Sequence, residues 1–231
     1  MSISISPDSL IYWQLGPIHL NATILYTWIA MALLVGIAAA VTRRLRVGPP
    51  VGRWQHTLEI IVENLKEQIG QASRHDPDPF LPFIGTLFLF IATANLLGVI
   101  PGYTPPVASL STTAALAICV FVAVPLFGIR RNGLVGYLRK YLQPMPVMLP
   151  FNIIGEFSRT LALAVRLFGN IMSTDLLVVI LLAIVPLFFP VVMELFGLLV
   201  GFIQAYVFAI LAMVYIASSL RTRGPAAESG A

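Results

Sequence analysis

From Leu20 to Thr42 the chain runs LNATILYTWIAMALLVGIAAAVT, 23 residues without a formal charge. A run of about 20 apolar residues is what an α-helix needs to cross a hydrocarbon core roughly 30 Å thick. In lipid the backbone has no water to bond, so a spanning segment is a helix or part of a closed barrel. The run is not isolated. Residues 80–100 (FLPFIGTLFLFIATANLLGVI) and 107–128 are further apolar spans, and from Phe151 to Val185 no proline breaks a mainly apolar pattern. Pro186 and Pro190 mark a turn, and helix-like sequence resumes from about Val191 to Arg221. Only 10% of residues are charged and 58% are hydrophobic, whereas a soluble domain carries about 25% charged residues. A water-solvated surface is thereby excluded. The reading is an all-α polytopic membrane protein, a single membrane domain over 1–231, with spans at 20–42, 80–100 and 107–128 and a long hairpin over 150–221.

Residues 53–72 differ in texture. Leu58, Ile61, Val62, Leu65 and Ile69 recur at helical spacing, while Glu59, Glu63 and Glu67 form a row on another face. Such a helix is too polar to span; it lies along the membrane surface or against a partner. The loop RHDPDP, with Pro77 and Pro79, ends it. Each hairpin arm is some 30–35 residues, or about 45–52 Å at the helical rise, so neither stands upright in a core of about 30 Å and the hairpin must tilt or project.

The net charge of +4 comes from basic residues that flank apolar runs, which reads as topology rather than nucleic-acid binding. Arg43, Arg44, Arg46, Arg53, Lys66 and Arg74 share the connection after the first span; Arg130, Arg131, Arg139 and Lys140 follow the third; Arg221 and Arg223 follow the last helix. The N-terminal segment and the turns at 101–106 and 186–190 have no Lys or Arg, and the polar stretch after the third span is closed by Pro144 and Pro146. Five crossings with the N-terminus outside and the C-terminus in the cytoplasm satisfy every connection. Residues 1–19 have Asp8 as their only charge and no basic n-region, which does not read as a signal peptide. The tail RGPAAESGA reads as disordered, and Cys119, the one cysteine, as a small buried side chain.

Ionisable groups within spans are costly and are functional candidates by default. Here they gather in the hairpin: Glu156, Arg159, Arg166, Asp175 and Glu194. Glu156 and Arg159, three apart, either form an ion pair along the helix or admit ions at its end. Arg166 shares a face with Arg159 and Asn170, and Asp175 is half a turn out of phase, roughly 13 Å further along. The positions that would pair with Arg166 on its own helix are Ala162, Leu163, Gly169 and Asn170. Its carboxylate must come from Glu194 on the second arm or, transiently, from another subunit. On that second arm Glu194, Gly197, Gly201 and Ala205 lie near one face, a small-residue row that permits close helix packing. Gln204 and Tyr206 are weak signals by themselves.

The string NIIGEFSRTLALAVRLFGNIMSTD (152–175), followed by FIQAYVFAILAMVYIA (202–217), resembles the C-terminal hairpin of subunit a of F-type ATP synthases. The Tyr12-Trp13 start, the Asn95, Gly98, Pro101 pattern and the five-span plan fit the same family along the whole chain. The resemblance implies a static ion channel for H+ or Na+. Two half-channels would lead to and from a rotating c-ring and couple ion flow to ATP synthesis or hydrolysis. It places the stator charge on Arg166 and polar positions of the path on Asn170, Asp175 and Gln204. Many members have His or Glu seven residues before that Gln; Gly197 stands there in this chain, and Glu194, one turn earlier, is the expected replacement. Implied partners are the c-ring, the peripheral-stalk subunit b, the soluble ATPase sector and the lipid bilayer of a bacterial inner membrane, with no nucleic acid. No cofactor, metal or catalytic site is expected in this chain, which has no G-x-x-x-x-G-K-[ST] motif.

Other classes fit less well. A secondary transporter or antiporter would be expected to show repeated halves and a broken-helix site, and no internal repeat is seen. An intramembrane hydrolase needs paired catalytic groups, yet His19, His56 and His75 lie outside the spans and Cys119 has no evident base. A purely structural anchor would not carry five charges in one hairpin.

Overall fold

A computed structural model describes residues 11–15, 18–43, 53–73, 78–100, 103–142, 148–185 and 189–220. The basic residues Arg44, Arg46, Arg74, Arg221 and Arg223, the prolines 77, 101, 144, 146 and 186, Asp8 and the tail after 220 lie outside the described residues.

Two short strands, β1 (Ile11–Leu15) and β2 (Ile18–Asn21), pair antiparallel with Leu15 opposite Ile18 and a register irregularity between Ile11 and Trp13. This small hairpin, which the sequence reading did not foresee, leads directly into helix α1 (Ala22–Thr42). Every residue of α1 is apolar or small except for Tyr26, Trp28 and its threonines. Thr27 satisfies its hydroxyl by donating to the Thr23 carbonyl at 2.7 Å, the bond a hydroxyl makes in lipid. Helix α2 (Arg53–Ser73) is the amphipathic element. Its Leu65 is buried among the packed helices while Glu59, Glu63 and Glu67 are exposed. It lies against α3 (Leu81–Leu97) and α6 (Phe189–Leu220), and Lys66 Nζ meets Asp78 at 2.7 Å beside the start of α3.

α3 has 17 residues, about 25 Å of helix, so it falls short of the expected 80–100. The reason is local. The Gly98 N–H reaches back to the Asn95 carbonyl and Ile100 N–H to Leu97, each at 3.0 Å, so the last turn tightens to the 3-10 pattern. The expected third span also differs, and Cys119 on it is exposed rather than buried, because it falls on the outward face of the helix. A 3-10 turn at Pro106–Ala108 precedes α4, and helical backbone runs over Leu110–Leu142, well past residue 128. The exception is Gly133, at φ 71° and ψ 164°, where the chain doubles back. The Tyr137 ring then lies 2.6 Å from where a Cβ on Gly128 would stand, a contact that nine residues of straight helix would forbid.

The terminal hairpin is α5 (Met148–Ile184) and α6, of 37 and 32 residues. At roughly 1.5 Å per residue they are about 55 and 48 Å long, longer than the membrane core, as the uninterrupted pattern required. Pro150 and Pro190 sit in the first turns, where a missing N–H is harmless. Among the described residues four helices are long and apolar enough to cross a membrane, α1, α4, α5 and α6, with α3 as a shorter apolar helix. The protein is a multi-pass membrane protein. Its core is built where α3, α4 and α6 converge, around Ile84, Ile91, Val120, Phe208, Met213 and Ile216, all almost wholly buried. α5 is the least buried of the long apolar helices: among its described side chains the buried apolar ones are Leu163, Ala164, Leu167 and Ile171, one narrow stripe against the bundle.

A polar cavity between the hairpin arms

The stripe that docks α5 fixes where its polar residues go. Arg166 sits beside that stripe but off its centre, and its side chain is exposed. Among the described residues nothing makes a salt bridge with it. Its neighbours Leu161 and Val165 are each 53% exposed and wholly apolar, so a permanent cation stands on a surface otherwise fit for lipid or for another helix. Glu194 does not meet it; that carboxylate lies on α6 in a different place.

Asn170, one turn beyond Arg166, is half-buried. Here α3, α5, α6 and the 103–105 turn line a half-open cavity of about 480 Å3. Asp175 and Glu194 both line it, one from each hairpin arm, together with Asn170, Thr174, Asn95 and Gly197. The half-turn offset of Asp175 from Arg166 therefore carries it to the cavity.

Small residues on α6 let its neighbours pack closely beside the cavity. The Asn95 amide of α3 donates to the Gly201 carbonyl at 2.9 Å, and a Cβ on Gly201 would lie 3.0 Å from Asn95 Cγ. Likewise a Cβ on Gly197 would lie 2.5 Å from the Thr174 methyl. The Thr174 hydroxyl donates to the Asn170 carbonyl at 3.1 Å, which holds that methyl in place. Gly197 thus faces the cavity without a side chain of its own, and Glu194, one turn away, lines the same cavity. Gln204, one turn past Gly201, is 8% exposed, and its Nε2 has no hydrogen-bond partner. An unpaired buried amide is unusual and calls for a partner beyond this chain's described residues or a water.

Towards the other end of α5, Glu156 and Arg159 border a small cleft with Tyr215 and Ser218 of α6. The Arg159 guanidinium stands 5.9 Å from the Tyr215 ring centroid, a cation–π distance. The structure therefore divides the hairpin's charges into three places: Arg159 and Glu156 at one cleft, Arg166 on the open face, and Asp175 with Glu194 in the cavity. Among the described residues no group of three His, Cys, Asp or Glu could hold a metal ion.

Sequence reasoning named Thr174, with Ser173 and Asp175, as able to pass either ion, but assigned no site role to Asn95, Tyr103 or Thr104. Asn95 had a signal, as the one amide inside its span. The other two are hydroxyl residues with no spacing that marks them. At the turn, burial pushes the Tyr103 phenol up to about 12, with Tyr26 adding to the effect.

Fold and cavity together define a polytopic membrane protein with a polar cavity beside its terminal hairpin. The profile of the ATP synthase A chain family matches residues 24–217. ATP synthase subunit a 1 of Crocosphaera subtropica is 64% identical over 94% of this chain and 95% of its own length. Subunit a 1 of Chlorobaculum parvum is 60% identical over 95% and 97%, and subunit a of Albidiferax ferrireducens 57% identical over 98% of each. The chain belongs to the ATP synthase A chain family.

Proposed function

We propose that this chain is the static ion-conducting subunit of an F-type ATP synthase in a bacterial plasma membrane, with the N-terminus outside and the C-terminus in the cytoplasm. It passes H+ or Na+ to and from a rotating ring of c subunits, and is held by the peripheral stalk beneath the soluble ATPase sector. The observation that carries this reading is Arg166. A guanidinium cannot lose its proton at working pH, and a charge in lipid needs a carboxylate or water. No described residue supplies that carboxylate, and the side chain is open on an outward apolar face. A ring carboxylate passing that face would find its counter-ion there, stay deprotonated while opposite it, and regain its ion on moving away.

The cavity supplies the approach from one side. Asp175 and Glu194 attract cations, Asn170 leads from the cavity towards Arg166, and the Gln204 amide is a donor held ready near the hairpin's buried face. The Glu156–Arg159 cleft lies towards the opposite end of α5 and is where the second half-channel would open. A photo-crosslinking side chain at Val165, beside Arg166, should yield an adduct with a ring subunit in the intact complex, whereas one at Trp28 of α1 should not. Absence of the Val165 adduct in assembled complex would sink the ring-facing assignment of this surface.

A further inference from the structure

Away from the hairpin's charges, α4 ends on a surface of a different kind. On its outward side Ile118, Val122 and Leu126 are all exposed. Each is four residues from the next, so they form one apolar ridge along the helix. Arg130 is the next member of that ridge and is exposed, as is Arg131 beside it. From Leu110 to Arg130 the helix rises about 30 Å, the thickness of a hydrocarbon core. With the start of α4 at one boundary, the two guanidiniums stand at headgroup depth on the other.

No acidic residue accompanies them. The segment Leu110–Leu142 contains Arg130, Arg131, Arg139 and Lys140 and no Asp or Glu. Among the described residues neither Arg130 nor Arg131 makes a salt bridge. The backbone beneath them is held firmly. Gly133, at φ 71°, turns the chain back. A Cβ on Gly128 would stand 2.6 Å from the returning Tyr137 ring and 3.3 Å from Ser219 Oγ of α6. The Ser219 hydroxyl also donates to the Val124 carbonyl at 3.1 Å. Thus α4, its fold-back and the end of α6 are joined one turn below the arginines, while Leu134, at the start of the fold-back, is left exposed.

Water alone would satisfy the arginines, but it would gain nothing from the ridge that leads to them or from Leu134. A phospholipid meets both surfaces. Its phosphate accepts charge-assisted hydrogen bonds from guanidinium groups, and its acyl chain covers apolar side chains. A zwitterionic headgroup brings an ammonium into a segment with four basic residues and no acidic one, so the complementary headgroup is a net anion.

We propose that the Arg130–Arg131 end of α4 binds an anionic phospholipid of the phosphatidylglycerol type. The two guanidiniums hold its phosphodiester, and an acyl chain lies along Ile118, Val122 and Leu126. The lipid braces the fold-back that precedes α5. This site stands whether or not the ion-path reading does.

The test uses the intact complex in phosphatidylcholine vesicles doped with a lipid that carries a photoreactive diazirine on its acyl chain, with adducts mapped by peptide mass spectrometry. The doped lipid is phosphatidylglycerol in one arm and phosphatidylcholine in the other. The Ile118–Leu126 ridge should take up the anionic probe at least about fivefold more than the neutral one, the worth of one basic side chain at an anionic surface. Trp28 and Ile29, on the exposed face of α1, should take up both alike. Arg130→Gln with Arg131→Gln should abolish the preference, and the corresponding lysine pair should keep part of it. Should the glutamine pair fail to assemble, Arg130→Gln alone must lower the preference. Millimolar glycerophosphate should leave the labelling unaltered; loss of the preference in its presence would make this a site for soluble phosphate and not for lipid. Equal labelling of the ridge by both probes, or a preference unchanged by the glutamine variants, would overturn the proposal. So would a ridge that neither probe reaches while α1 is labelled, since a protein partner would then cover it.

Discussion

Gly197→Ala should damage the hairpin by a route that can be reversed. The new Cβ would stand 2.5 Å from the Thr174 methyl, whereas unbonded carbons rest at about 3.5–4.0 Å. The two arms must separate by roughly 1 Å at that point, or Thr174 must turn. Turning is opposed because the Thr174 hydroxyl donates to the Asn170 carbonyl at 3.1 Å and a β-branched side chain on a helix has few rotamers. Overpacking of this kind costs about 1–3 kcal/mol. Moving Thr174 also moves Asp175 beside it, so ion uptake should fall together with the thermal midpoint of the purified complex. Thr174→Ser keeps the hydroxyl and removes the methyl. The double variant Thr174→Ser, Gly197→Ala should therefore recover most of both losses, while Thr174→Ser alone stays near wild type. A Gly197→Ala complex as stable and active as wild type, or a double variant no better than the single, would refute the close contact and the reasoning built on it.

Gly133→Ala should destabilise the fold-back of α4, since φ 71° with ψ 164° is a conformation essentially confined to glycine and costs other residues about 1–3 kcal/mol; limited proteolysis near residue 133 should report it, and unaltered resistance would contradict it. Asn95→Ala should loosen α3 from α6 by losing its 2.9 Å bond to the Gly201 carbonyl, worth about 0.6–1.7 kcal/mol inside a membrane, read as a lower thermal midpoint. Tyr103 titrates late: its raised folded-state value means that its contribution to stability is whole below pH 10 and is lost as pH rises towards about 12. Phenolate absorbance should show one tyrosine ionising near there, absent from Tyr103→Phe; a difference titrating at the ordinary phenol value would contradict the burial of Tyr103.

Much of the fold was written in run length. The charge-free stretch from Leu20, the acidic row on 53–72 and the proline-free arms from Phe151 to Val185 and onward from Val191 named α1, α2, α5 and α6, because lipid tolerates only helices there. Polarity told less about where α4 ends. Arg130, Arg131 and Gly133 mark the limit of apolar sequence, but the backbone stays helical to Leu142 because helices do not need lipid to continue, and one glycine redirects the chain. The strands at Ile11–Leu15 and Ile18–Asn21 are too short to announce themselves by alternation. Charged residues in the hairpin were visible as candidates because an ionisable group among apolar ones is expensive; their division between an open face, a cavity and a cleft was not, since it depends on which stripe of α5 docks. Thr174 could be named from its place beside Asp175, but its close contact with Gly197 of the other arm has no signature until the neighbouring helix is in place.

The central claim is that Arg166 is the charge against which the moving ion site is read. The most direct measurement is ATP-driven ion uptake into inverted membrane vesicles, comparing wild type with Arg166→Ala at matched levels of assembled complex. The account predicts that coupled uptake is lost while assembly is retained. Uptake that continues at the wild-type rate would make Arg166 a structural cation and place the ion path elsewhere.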